Sequence, residues 1–136
     1  MKKILFVIVF LFGCRRSFEP INYGKDACAH CKMTIMDKRF AAELVDGKGK
    51  TFKFDDIICM REFVEATSMS PNTLYFVNDY QREKAAVLDA SKAVFLKHEM
   101  FKSPMSGNHA AFATAADAQH LKDSLQLPLI TWKTLY

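Results

Sequence analysis

The feature that most constrains the fold is a step that occurs twice, in which an alternating apolar stretch runs into a polar cap and then into a helical pattern. The first is TFKFDD at residues 51–56, leading into a helix expected over 56–67, and the second is AAFATAAD at 110–117, leading into one over about 115–125. Phe52 and Phe54 alternate as a half-buried strand requires, and Asp55 or Asp56 supplies the N-cap. Thr114 with Asp117 three residues on matches a capping box. Ahead of the first step, RFAAELV at 39–45 alternates through Phe40, Ala42 and Leu44, and Asp46-Gly47 signals a hairpin turn. Ahead of the second lie strand patterns at 73–78, 84–89 and 92–97, and a short strand over 129–135 closes the chain. A duplicated α+β unit with a site between its halves, about 25–70 and 71–136, is the economical arrangement.

The N-terminus restricts where such a domain works. Lys2 and Lys3 precede an unbroken apolar run over residues 4–12, which is shorter than the about 20 residues a membrane-spanning helix needs. It fits a signal peptide with a basic start and a short apolar core. The following Leu11-Phe12-Gly13-Cys14 looks like a bacterial lipobox, so residues 1–13 are expected to be removed and Cys14 lipidated. Residues 14–24 then read as a tether, leaving 25–136 as the folded domain, held outside the cytoplasm by a lipid anchor. Without Lys2 and Lys3 the formal net charge falls from +4 to +2, too little for a nucleic-acid partner. Twelve phenylalanines are enough to build a core without a disulfide framework.

Cysteine usage raises the central question. Lipidation of Cys14 leaves Cys28, Cys31 and Cys59, an odd number in a compartment that normally pairs its thiols. Cys59 lies in DDIICMREFVEA, where Ile57, Ile58, Met60, Phe63 and Val64 mark the buried side of a helix, so it reads as a core cysteine. Cys28 and Cys31 lie in CAHCKMTIM, where two cysteines, a histidine and two methionines fall within nine positions.

Several chemistries want such a stretch. A structural zinc site uses this cysteine spacing but needs a second pair, and none is visible unless Cys59 and a distant histidine supply it. A redox disulfide is the reading for CxxC at a helix start after a strand, whereas this pair precedes the first clear strand. Copper explains the methionines: Cu(I) is a soft ion that prefers thiolate and thioether donors, and Cys31 and Met33 can face it from one extended segment. Cys28 and Met105, the latter in the SPMSGNH loop at 103–109, are candidates for a third donor. Met36 reads as core filler, His30 as solvent-facing, and His98, His109 and His120 as surface residues. No phosphate-binding glycine loop, nucleophile elbow or HExxH helix appears, so nothing points to an enzyme.

The sequence resembles the NosL family, lipoprotein accessory factors of nitrous oxide reductase. The resemblance runs from about Lys25 to the C-terminus and is carried by DACAHCKMTIMDKRFAAEL, FDDIICM, SPMSGNHAAF and the closing ITWKTL, with the lipobox in keeping. It implies a fold of two similar small ββαβ-like units with mixed or antiparallel sheets, similar to the metal-thiol domain of organomercurial lyases. It further implies a periplasm-facing Cu(I) carrier supplying the copper sites of nitrous oxide reductase beside a membrane transporter complex. By position, Cys31 and Met33 match the family's copper-binding pair and Met105 the methionine of its second loop.

Overall fold

The computed structural model describes residues 16–82 and 86–135, so the expected signal peptide and Cys14 lie outside the described residues. The first unit runs β1 (Ala42–Val45), β2 (Thr51–Phe54), α1 (Ile57–Ala66) and β3 (Leu74–Asn78), with β4 (Val87–Asp89) added at its edge. The second runs β5 (Val94–Lys97), β6 (His109–Phe112), α2 (Ala115–Ser124) and β7 (Ile130–Thr131). Their sheets are ordered β2-β1-β3-β4 and β6-β5-β7. In each, the first strand of a ββαβ unit sits between the other two and pairs with both antiparallel. The expected α+β duplication is therefore present. Its seam falls between β4 and β5 rather than near residue 70, because β3 returns to pair with β1 and β4 folds back on β3. The expected closing strand is shortened to β7, after which Trp132–Thr134 turn as a 3-10 helix.

Local chemistry accounts for these elements. Asp46 organises the β1–β2 turn by accepting from the N–H groups of Lys48 and Lys50, and Gly49 takes the positive φ of 88°. The Asp56 carboxylate accepts from the Ile58 N–H and caps α1, and Thr114 and Asp117 cap α2 reciprocally. Phe52 and Phe54 meet Phe63 of α1 at ring-centre distances of 4.9 and 5.4 Å, which fastens the helix to one face of the first sheet.

Contrary to the half-buried pattern expected for it, β1 is buried on both faces, Glu43 and Val45 included. The cover on the second face is the stretch read from sequence as a tether. Phe18 packs edge-on against Phe76 at 5.8 Å, the Glu19 N–H donates to Glu43, and Ile21 enters the core. The two sheets join where β3 ends: Asp79 bridges Ala111, and the Tyr80 N–H donates to the Ala111 carbonyl at 2.8 Å. That contact brings the 103–109 loop, which precedes β6, toward the start of α1.

Candidate metal centre

The cysteine loop reverses tightly. The Cys28 N–H donates to the Met33 carbonyl at 2.8 Å, the Lys32 N–H donates to the Cys28 carbonyl at 3.1 Å, and Lys32 takes a left-handed φ of 68°. This reversal turns both sulfurs of the pair toward the body of the domain. The loop is anchored to the first sheet by the Ala29 N–H, which donates to the Lys53 carbonyl of β2 at 2.7 Å. Two residues beyond Lys53 the chain leaves β2 at Asp55 and enters α1, whose first turn carries Cys59. The sulfurs of Cys28, Cys31 and Cys59 and a carboxylate oxygen of Asp55 consequently all lie within 4.8 Å of one another.

Three of these four residues are buried, and Cys31 alone reaches the surface. No disulfide joins the thiols. The Cys31 thiol faces Asp55 Oδ1 at 3.3 Å, and Asp55 Oδ2 is buried without a partner. Hydrogen bonding from the Cys59 thiol, with the Asp55 and Cys31 backbone N–H groups, lowers the Cys28 pKa to about 6 against the opposing cost of burial. Burial, with the neighbouring Cys28 and Asp55, raises the Cys31 thiol to about 11. Donation to Cys28 and burial push Cys59 up as well. One thiolate is thus held ready in the interior beside two thiols whose protons a thiophilic ion must displace.

The second loop arrives at the same place. The Met105 N–H donates to Asp56 Oδ2 at 2.9 Å, so one carboxylate caps α1 and moors the loop. Ser103 and Asn108 clasp each other across the loop at 3.0 and 2.7 Å. Gly107 is required where the loop lies against α1, since a Cβ there would sit 2.5 Å from the Ile58 Cβ.

A profile of the NosL family matches residues 21–125. The chain belongs to the NosL family. Its fold is similar to the crystal structure of the copper chaperone NosL from Shewanella denitrificans, with a TM-score of 0.69 and 18% identity over 88% of this chain and 95% of that one. No curated protein matches it. Among the described residues no helix is long and apolar enough to cross a membrane.

Within this NosL-family chain, Cys28 and Cys31 stand together at the cluster, while Met33 and Met105 are exposed side chains, 53% and 40% accessible, on the loops that flank it. Met36 is not core filler but 67% exposed, since its loop runs over the outside of the domain before Phe40 enters the core. His30 is exposed, as its solvent-facing reading expected, and pairs with Glu62 of α1 at 3.0 Å. His109 is buried in β6, contrary to the surface reading, and burial lowers its pKa to about 4. Sequence reasoning gave Cys59 to the core, where it is, and weighed it as a ligand only alongside a distant histidine; its sulfur joins the cluster with Asp55 instead. It treated Asp55 only as a possible cap, whereas Asp56 caps and Asp55 faces Cys31. The signal available was the odd thiol count together with the Asp55-to-Cys59 spacing of one helical turn, which places both at the same end of α1.

Proposed function

We propose that this protein binds Cu(I) at the cysteine cluster and carries it, from a lipid anchor at Cys14 on the periplasmic side of a membrane, to an extracytoplasmic cuproenzyme, nitrous oxide reductase. The observation that carries the reading is the convergence of three unpaired cysteine sulfurs within 4.8 Å beside two exposed loop methionines. Soft sulfur donors in that number suit Cu(I), and membership of the NosL family and the likeness to a protein described as a copper chaperone support copper as the cargo.

The arrangement of the donors suits a carrier with no turnover of its own. Cys28 sits behind the surface as a ready thiolate anchor, whereas Cys31 stands at the boundary with solvent. A partner's donors reach the ion from the Cys31 side, and Met33 and Met105 supply thioethers on that same approach. Copper passes by stepwise ligand exchange, the weaker thioethers leaving before the thiolates. Asp55 takes no part as a copper donor, being a hard oxygen ligand; it orients the Cys31 thiol through their 3.3 Å contact.

The test is transfer. Chain loaded anaerobically with Cu(I) and mixed with copper-free nitrous oxide reductase is expected to lose its metal to the enzyme, and Cys31→Ser to deliver none. Retention of copper by the chain in the presence of the apo-enzyme contradicts the recipient. Anchoring is checked separately: Cys14→Ser is expected to move the protein from the membrane fraction to the soluble one.

A further inference from the structure

The stretch read from sequence as a tether is fixed to the domain from Arg16 onward. Phe18 packs on Phe76, the Glu19 N–H donates to Glu43, and Ile21 is in the core. Arg16 lies over the β1–β2 turn, where its Cγ would stand 3.9 Å from a Cβ on Gly49, and its Nη1 donates to the Asn72 carbonyl. Two residues of chain reach about 7 Å at most. A lipid on Cys14 therefore holds this end of the first sheet close to the bilayer.

The surface so placed is cationic. Lys48 and Lys50 are exposed on the turn beside Arg16. The Asp46 carboxylate is taken up by their backbone N–H groups, at 2.8 and 2.9 Å, and Glu19 is engaged by Lys53 at 3.1 Å. The Arg16 guanidinium meets a neutral carbonyl, and the Lys50 ammonium stands over the Phe52 ring at 4.7 Å, so neither contact cancels a charge. Hollows of about 500 and 400 Å³ flank the turn, the first lined by Arg16, Phe18 and Lys48, the second by Lys48, Phe52 and Met69. Each sets cationic heads beside apolar walls and has room for a glycerophosphate headgroup.

We propose that Arg16, Lys48 and Lys50 form a docking face for the anionic phospholipid headgroups of the bilayer that holds the anchor, so that the domain stands on its β1–β2 turn. The inference rests on the lipid anchor at Cys14 proposed above. Attraction between a cation and such a surface dies away within a Debye length, and the short link to the anchor keeps these three side chains inside it. Strand register puts the cysteine cluster at the other end of the sheet, since Val45 pairs with Thr51 beside the turn and Ala42 with Phe54 beside Asp55. Lys50 and Asp55 are five residues apart along extended chain, about 16 Å. A domain standing on the turn thus presents Cys31 and the 103–109 loop away from the lipid, where a recipient reaches them.

The test uses the full chain, as the cell processes it, in vesicles of phosphatidylcholine with or without about one third phosphatidylglycerol. Flotation with the neutral vesicles reads the anchor, and amine labelling by a membrane-impermeant reagent, followed by mass spectrometry, reads the face. In anionic vesicles Lys48 and Lys50 are expected to label at least about threefold more slowly than in neutral ones, while Lys32 of the cysteine loop and Lys102 beside the second loop do not change. Salt at about 1 M is expected to remove the protection. Lys48→Glu, at an exposed position whose backbone N–H makes the contact with Asp46, is expected to restore the labelling of Lys50. Equal labelling in the two kinds of vesicle, protection of Lys32 instead, or protection that Lys48→Glu leaves in place overturns the proposal. A chain that does not float contradicts the anchor and the docking geometry that depends on it, whereas one that floats with Lys48 and Lys50 unprotected overturns the face alone.

Discussion

Asp55 and Asp56 are adjacent and both buried, yet they act on opposite sides of the chain. Asp56 closes the start of α1 and holds the Met105 loop, while Asp55 turns toward Cys31. Which of two neighbouring aspartates caps a helix depends on the direction in which the chain leaves β2, so FDD left that choice open in the sequence. Cys59 was hidden for a related reason: its position on the apolar face of α1 is also the position that reaches Cys28. Cys28 and Cys31, by contrast, were legible because spacing within one loop suffices to bring them together. At this scale the account predicts a pH dependence. Cu(I) must displace the protons of both Cys31 and Cys59 across the range from about 6 to 11, so affinity rises with pH there, and it rises more steeply below about 6, where Cys28 is protonated too. Competition titrations at several pH values check it; a pH-independent affinity between 6 and 9 would mean that neither Cys31 nor Cys59 binds as a thiolate.

Among the elements, the strand-to-cap-to-helix steps were readable because caps and alternation are local signals. What covers a strand is not local, and the burial of the second face of β1 under residues 16–21 had no period to announce it. The mooring of the second loop is similarly tertiary, resting on Asp56 and on the bare backbone of Gly107. Gly107→Ala is expected to destabilise the domain by about 1–3 kcal/mol, since the added methyl meets Ile58 with no room to spare. Asp56→Ala is expected to cost about 1–2 kcal/mol through loss of the cap and to free the Met105 loop. Chemical denaturation measures both. A Gly107→Ala protein as stable as the parent would show that the loop is not seated on α1.

For the whole molecule, two buried titratable groups pull stability in opposite directions. Burial raises Glu43 from 4.5 to about 7, so the folded state binds the extra proton and stability falls as pH rises through that window. Burial lowers His109 from 6.5 to about 4, so the unfolded state binds the extra proton and stability rises with pH between those values. Glu43→Gln is therefore expected to leave a stability that climbs from pH 4.5 to 6.5, where the parent is flatter, and thermal unfolding across that range reads the difference. Identical profiles for the two proteins would mean that Glu43 titrates normally. Duplication of the ββαβ unit was visible in the sequence as a repeated rhythm, but its seam was not, because the pairing of β3 with β1 spans about thirty residues and leaves no local mark.

The central claim is that three sulfurs brought together from a loop and a helix make a copper carrier. An anaerobic competition titration of the reduced protein against a chromogenic Cu(I) chelator, with Zn(II) run in parallel, tests it most directly. Tight binding of about one Cu(I) per chain is predicted, lost in Cys31→Ser. Zinc that resists Cu(I), and whose removal by a chelator unfolds the domain, would contradict it and make CAHCKMTIM a structural clip.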